Sequence, residues 1–207
     1  MSDILLNVAD IQRRSRVNGP GVRSVVWVQG CTIGCPGCFN PHTHAHEKRH
    51  LIDPRQLGRD LARLPGTDGI TLSGGEPFEQ AAACTVLAET IRSAGHSVMA
   101  FTGYRFDVLR KCPTPAVQRL LGTIDLLVAG PYVADLEGDG ALWRGSTNQT
   151  VHALTDRLAA AIDTDPETAP AVEITLDGKN LTATGFPEPQ DRHWLDQLLG
   201  EVSVRGP

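Results

Sequence analysis

No apolar run in this 207-residue chain reaches the ~18 residues that a membrane-spanning helix needs, so no segment is expected to cross a bilayer. The first residues, MSDILLNVADIQRRSR, lack the basic start and long apolar stretch of a secretory signal, and the expected compartment is the cytoplasm. Positive charge is not in excess either. Lys and Arg total 19 against 24 Asp and Glu, a net charge of −5. That balance removes the electrostatic reason to expect a nucleic-acid or membrane-surface partner. Lysine is scarce, 3 against 16 arginines, which points to a GC-rich bacterial genome rather than to chemistry. Five cysteines, an odd number, in a reducing compartment argue against a disulfide framework. There is no internal repeat.

What the chain does have is an ordinary globular composition, 41% apolar and 21% charged, with length for one domain and a sizeable core. Its 21 glycines and 14 prolines imply many tight connections. ILLNV (4–8) and VRSVVWV (22–28) read as strands, the second β-branched, aromatic and buried. Asp53-Pro54 caps and starts a helix that runs to about Leu64. GITLS (69–73), SVMAF (97–101) and IDLLVAG (124–130) are further strands. Between them, residues 79–94 form a helix closed by Gly95, and 105–111 and 115–121 look helical. Strands alternating with helices at this spacing predict βαβ units and a parallel sheet, hence an α/β fold. Ligands of such sheets bind beyond the C-terminal strand ends. The cysteine loop, SGGEP, TGY and GPY all follow strands, so one end of the sheet collects them.

The stretch GCTIGCPGCFN packs Cys31, Cys35 and Cys38 into a C-x3-C-x2-C loop. Thiolates bind soft metals. Structural zinc wants four ligands, and neither Cys84 nor Cys112 sits in a knuckle. Three thiolates on a four-iron cluster leave one iron for a small molecule, which suits catalysis. Two other readings stay open on spacing alone. His42 completes a possible Cys3His set, giving a non-catalytic zinc-binding interaction module. CPGC also has the form of a thioredoxin-like redox pair.

CTIGCPGCF resembles the signature of the radical S-adenosylmethionine (SAM) superfamily, and SGGEP is similar to its SAM-binding segment. VNGPGVR, VQGCTIGCPGCFN, ITLSGGEP, FTGYRFDVL, IDLLVAGPYVADL and LWRGSTNQTVH, in that order, resemble the activating proteins of anaerobic ribonucleotide reductase from about Val17 to His152. The resemblance implies a partial, open parallel βα barrel of the radical SAM type. It also implies one [4Fe–4S] cluster held by Cys31, Cys35 and Cys38, with SAM on the remaining iron. Gly37, Cys38, Phe39, Ser73, Gly74, Gly75, Glu76, Thr102, Gly103 and Tyr104 would then contact SAM, Phe39 beside the adenine. Asn18 and Arg23 match positions near the mouth of the site. With Arg144, Asn148 and Gln149 of the late block they are the expected substrate or partner contacts. Arg23 has a second reading, a plain surface ion pair.

The implied activity is reductive cleavage of SAM to methionine and a 5′-deoxyadenosyl radical. That radical then takes a hydrogen from a glycine of a partner glycyl-radical enzyme. A flavodoxin or ferredoxin-type protein would supply the electron. The cofactor carries the bond chemistry, so no protein side chain is expected to be a catalyst. A stand-alone radical SAM enzyme acting on a small metabolite or peptide is the nearest alternative.

Three features stand apart. The block LLVAGPY has Ala129 where family members usually carry an acid. Residues 155–207 lie beyond the resemblance and are expected to add a β-hairpin around Asp177-Gly178 and a short helix at 194–199. They would be an extension packed on the core domain, 1–154, either covering a sheet edge or shaping a partner surface. His42, His46 and His50 would line one helical face, as a metal stripe or as a solvated linker. Cys84 is expected to be a buried apolar residue, and Cys112 incidental.

Overall fold

The computed structural model describes residues 4–137, 142–163, 172–177 and 180–187 and the backbone of 204–205. Its central layer is a seven-stranded sheet in the order β3-β1-β2-β4-β5-β6-β7. The strands are β1 (Leu6–Ser15), β2 (Arg23–Val28), β3 (His50–Ile52), β4 (Gly69–Gly74), β5 (Ser97–Thr102), β6 (Leu126–Ala129) and β7 (Thr150–Ala153). β2, β4, β5 and β6 are parallel, as expected from the strand–helix alternation. The flanks are antiparallel, β1 and β3 on one side and β7 on the other. The turn between β1 and β2 is too short for the crossover a parallel pair needs. This is a mixed α/β protein with a parallel-rich central sheet.

One face of the sheet carries the helices α1 (Pro54–Ala62), α2 (Ala81–Ser93), α3 (Phe106–Lys111) and α4 (Pro115–Leu121). Asp53 caps α1, accepting from the N–H groups of Arg55 and Gln56. Gly95, at φ 90°, ends α2. Leu57 and Leu61 of α1 and Leu87, Ala88 and Ile91 of α2 pack on Val26, Ile70, Leu72, Val98, Ala100 and Leu127. Cys84 is fully buried there, as expected, and burial drives its thiol pKa far up.

Side chains alternate along a strand, so Met99, Phe101, Leu126 and Val128 face the other side, the inner face. They form a second cluster with Trp143, which Leu158, Ala161 and Phe186 help to cover. Burial of both faces explains why these strands read as continuous apolar runs. The cover is shared between Leu142, Trp143, Val151 and Ala153 of the core segment and Leu158, Ala161 and Phe186 of the extension. A 3-10 segment, Asp156–Asp163, follows β7. Then β8 (Val172–Asp177) and β9 (Asn180–Gly185) pair antiparallel as the expected hairpin, and β10 (Val204–Arg205) joins β9 in parallel. The expected helix at 194–199 lies outside the described residues.

Three expectations need correction. The hairpin, expected to cover a sheet edge or shape a partner surface, forms a separate three-stranded sheet with β10. It lies against the β1–β2 connection, with Thr184 Oγ1 accepting from Asn18 Nδ2 at 3.0 Å and Glu173 accepting from the Arg16 N–H at 3.0 Å. The histidine stripe does not exist, because Pro41–Thr43 is a single 3-10 turn and His50 already belongs to β3. The carbonyls of Thr43 and His44 are instead taken by the N–H groups of Gly30 and Cys31, so the segment does not continue as a helix.

Arg23 is the third. It is neither at a mouth nor in a surface ion pair, but wholly buried at the N-terminal end of β2. Its guanidinium donates to Thr71 Oγ1, the Pro20, Ile70 and Ser97 carbonyls and Ser97 Oγ, at 2.7–3.1 Å. Burial lowers its pKa to about 10, against the pull of Asp125 and Asp68. Among the described residues, no helix is long and apolar enough to cross a membrane.

Candidate active site

Parallel pairing sets the C-terminal strand ends side by side, Val28 with Gly74 and Thr102 with Ala129. The four loops that leave those ends surround one cavity. Cys31, Cys35 and Cys38 line it, as do Phe39, the Ser73–Glu76 segment, Thr102, Gly103 and Gln149.

The cysteine loop is fastened from two directions. Gly30 and Cys31 donate their N–H groups to the carbonyls of Thr43 (2.7 Å) and His44 (3.0 Å). Glu79, just before α2, accepts from the Thr32 N–H at 2.9 Å and from the Thr32 hydroxyl. His46 Nε2 lies 2.9 Å from the second Glu79 oxygen. Partial burial would raise the Glu79 pKa, but its bonds from Thr32 and His46 outweigh that and hold it below the usual carboxylate value.

All three thiols are free and part-exposed. Burial raises the pKa of Cys31, and Glu76 and Glu79 add to the rise. Burial raises Cys38 too, reinforced by its cysteine neighbours. Among the described residues no cation lowers the pKa of Cys31 or Cys38, and a bound cationic metal centre is the group that suits this donor set. Among the described residues, no three His, Cys, Asp or Glu side chains close tightly enough to hold a single ion. A multi-iron cluster sits between more widely spaced sulfurs. Among the described residues His42 does not close with the three cysteines into a Cys3His set. The thioredoxin-like reading fails as well, because Cys35 and Cys38 sit in a turn that opens no helix.

SGGEP is shaped by close backbone contact. Gly74 sits at φ 92°, and a Cβ on Gly75 would lie 2.3 Å from the Gly30 carbonyl oxygen. The N–H groups of Gly75 and Glu76 bond to Val28 (2.7 Å) and Gly30 (2.8 Å). Carbonyl oxygens of this segment thus suit an ammonium donor. The Glu76 side chain turns inward and clamps two loops. It accepts from the N–H groups of Phe78 and Gly103, both at 2.9 Å, and from the Thr102 hydroxyl at 3.0 Å. Burial raises its pKa to about 7 although those donors oppose the shift.

The late block folds onto the GPY loop. Gln149 donates to the Gly130 carbonyl at 3.0 Å and accepts from the Gly145 N–H at 2.8 Å, while Asn148 donates to the Pro131 carbonyl at 2.7 Å. Arg144 donates to the Gln149 carbonyl at 3.3 Å. Their polar atoms bind the protein itself, and Arg144 and Asn148 do not line the cavity. Phe39 meets Tyr132 edge-on with ring centroids 5.2 Å apart. Gly145 fits against both rings, since its Cβ would come within 2.9 Å of Phe39.

Other expected residues lie off the cavity. Gly37 faces Ala134 and Tyr132. The Tyr104 hydroxyl points to Glu79 at 3.5 Å. Asn18 is buried under the hairpin, not at a mouth, because Thr184 and Ser15 take its amide. Ala129 is buried between Thr102 and Thr150, where an acid would lack water. Conversely, His44, Tyr132, Trp143 and Phe186 line the cavity unexpectedly. Tyr132 and Trp143 belong to motif blocks that flagged their neighbourhood. Phe186 had no signal.

A family model described as a 4Fe-4S single cluster domain matches residues 17–152. Fold and cysteine cavity define the class as a protein of a single 4Fe–4S cluster. The anaerobic ribonucleoside-triphosphate reductase-activating protein of Salmonella typhi is 36% identical over 146 residues, covering 67% of this chain and 92% of that protein. Those of Escherichia coli K12 (34%, 67% and 92%) and Enterobacteria phage T4 (30%, 68% and 89%) are similar too. The chain belongs to this family of reductase-activating proteins. Among solved structures, QueE from Escherichia coli is similar at 16% identity with a TM-score of 0.36, covering 59% of this chain and 68% of that one.

Proposed function

We propose that this protein is a radical SAM activase that generates a glycyl radical on an anaerobic ribonucleoside-triphosphate reductase. The observation that carries it is the cavity itself. Three thiols and the backbone-rich GGE and TG loops line one space at the ends of four parallel strands. The activity printed in the names of its relatives agrees with that chemistry.

In this reading Cys31, Cys35 and Cys38 hold the cluster. The bound cluster and SAM supply one-electron cleavage of the sulfonium to methionine and a 5′-deoxyadenosyl radical, which takes hydrogen from a partner glycine. The chain's own residues bind, orient and exclude. Carbonyls of Gly74 and Gly75 take the SAM ammonium, and Phe39, braced by Tyr132, packs the adenine. Glu76 and Gln149 hold three of the strand-end loops in register, and the aromatic residues keep water from the reacting carbon. The sheet acts as an open partial barrel, residues 1–154 forming the core and 155–207 an appended segment. A flavodoxin or ferredoxin-type protein delivers the electron in the cytoplasm.

The test uses anaerobically reconstituted protein with dithionite and SAM. Release of 5′-deoxyadenosine, and a glycyl electron-paramagnetic signal once the reductase is added, is the expected result. A colourless preparation that binds zinc and leaves SAM intact would overturn the proposal.

A further inference from the structure

The C-terminal extension reaches the cavity through one side chain. Phe186 follows β9, and its ring lies 6.0 Å from that of Phe101, tilted by 46°. Phe101, Trp143 and Phe186 together form an apolar wall of the cavity on the inner side of the sheet. Trp143 is held at φ 60°, a conformation that a bulky residue keeps only when its surroundings impose it. The segment carrying Phe186 is seated firmly. Ala183, Thr184, Gly185 and Pro187 are buried on either side of it, while Phe186 itself stays part-exposed. Asn18 holds Thr184 from the opposite strand connection.

Of the three wall residues, Phe186 alone lies outside the matched region. The family match ends at residue 152, and the alignment already uses 92% of the Salmonella relative. Little of that relative is left to provide a counterpart. Packing alone would be served by a side chain turned wholly into the Met99 and Leu126 cluster. Phe186 instead divides its surface between that cluster and the cavity.

Resting on the activase reading, we propose that Phe186 is a specificity-determining residue. Its ring closes the inner side of the cavity, so that a slender glycine segment of the partner enters while bulkier and adventitious hydrogen donors are kept out.

Full-length Phe186→Ala, Phe186→Leu and Phe186→Trp test this after reconstitution with cluster and SAM. Three quantities are read: the SAM dissociation constant, the KM for the reductase, and the ratio of 5′-deoxyadenosine formed to glycyl radical spins. A fourth needs no cofactor, acrylamide quenching of tryptophan fluorescence in a Trp194→Phe background, where Trp143 emits beside the wholly buried Trp27. In Phe186→Ala, quenching should rise and the ratio climb about tenfold while SAM affinity stays within about twofold. Phe186→Leu should fall between Phe186→Ala and the parent. Phe186→Trp should raise the reductase KM without raising the ratio.

A folded Phe186→Ala with greater quenching but a parental ratio and KM overturns the proposal and leaves Phe186 as packing. Should Phe186→Ala not fold, a parental ratio in Phe186→Leu together with a parental KM in Phe186→Trp overturns it equally. Absence of 5′-deoxyadenosine from the parent protein would instead sink the activase reading. Unchanged quenching in Phe186→Ala refutes the wall independently of any turnover.

Discussion

At the scale of single residues, chemistry and packing separate clearly. Cys31, Cys35 and Cys38 share a cavity, whereas Cys84 of α2 is sealed in the core. Substituting serine at any of the three should abolish retention of a four-iron cluster, read as iron and sulfide content and loss of the brown absorbance. Cys84→Ala should retain it. Retention in any of the three single variants, or loss in Cys84→Ala, would contradict the ligand assignment. Arg23 makes the complementary case. Its five guanidinium N–H groups meet five acceptors inside the protein. Arg23→Lys keeps the charge but cannot reproduce that fork, and should cost roughly 2–4 kcal/mol in chemical denaturation. SAM affinity should stay unaltered at temperatures where the variant is folded. A large loss of affinity with parental stability would restore the expectation that Arg23 faces the site.

At the scale of elements, what fixes the cavity is how the loops are tied. Glu76 binds the turn after β4 to the end of β5, and its pKa, raised by burial from 4.5 to about 7, makes that tie pH-dependent. The native state holds this proton more tightly than the unfolded chain. Glu76 therefore contributes most stability below about pH 4.5, and that contribution is lost as pH rises through about 7. Glu76→Gln cannot ionise. Its stability relative to the parent should improve by roughly 1–3 kcal/mol between pH 5 and pH 8. Denaturation curves that shift in parallel at the two pH values would exclude a buried, titrating Glu76. Much at this scale was legible beforehand. Asp53-Pro54 announced α1, Gly95 closed α2, and four apolar runs marked the parallel strands. β7 was not legible, because its short run carries no strand motif of its own, whereas the antiparallel sense of β1 follows from its short connection to β2 once the two pair. The histidine spacing misled for a related reason: periodicity describes a helix only where no distant backbone partner takes the segment's carbonyls, as Gly30 and Cys31 take those of Thr43 and His44.

At the scale of the whole molecule, the sheet has two buried faces but the motifs spoke of only one end. Cavity residues in the quoted blocks could be located because loops after parallel strands must converge. The inner-face cover could not, since 155–207 carries no motif and its contacts with Asn18, Arg16 and Phe101 are long-range. Asp125 shows how early that cover is anchored. Wholly buried at the start of β6, it accepts from Arg92 at 2.6 Å, from the Val98 N–H at 2.8 Å and from the Thr155 hydroxyl at 2.7 Å. Truncation after Leu154 should thus do more than remove a tail. It would expose part of the Met99, Phe101, Leu126 and Val128 cluster and remove one of the two acceptors of the Asn18 amide. The apolar surface exposed forms one contiguous patch, the kind that drives self-association. The truncated chain should bind a hydrophobic dye, melt well below the parent and elute as aggregate. A truncated protein that stays monomeric, melts with the parent and binds no dye would show that the extension does not cover the inner face in solution, and the role assigned to Phe186 would fall with it.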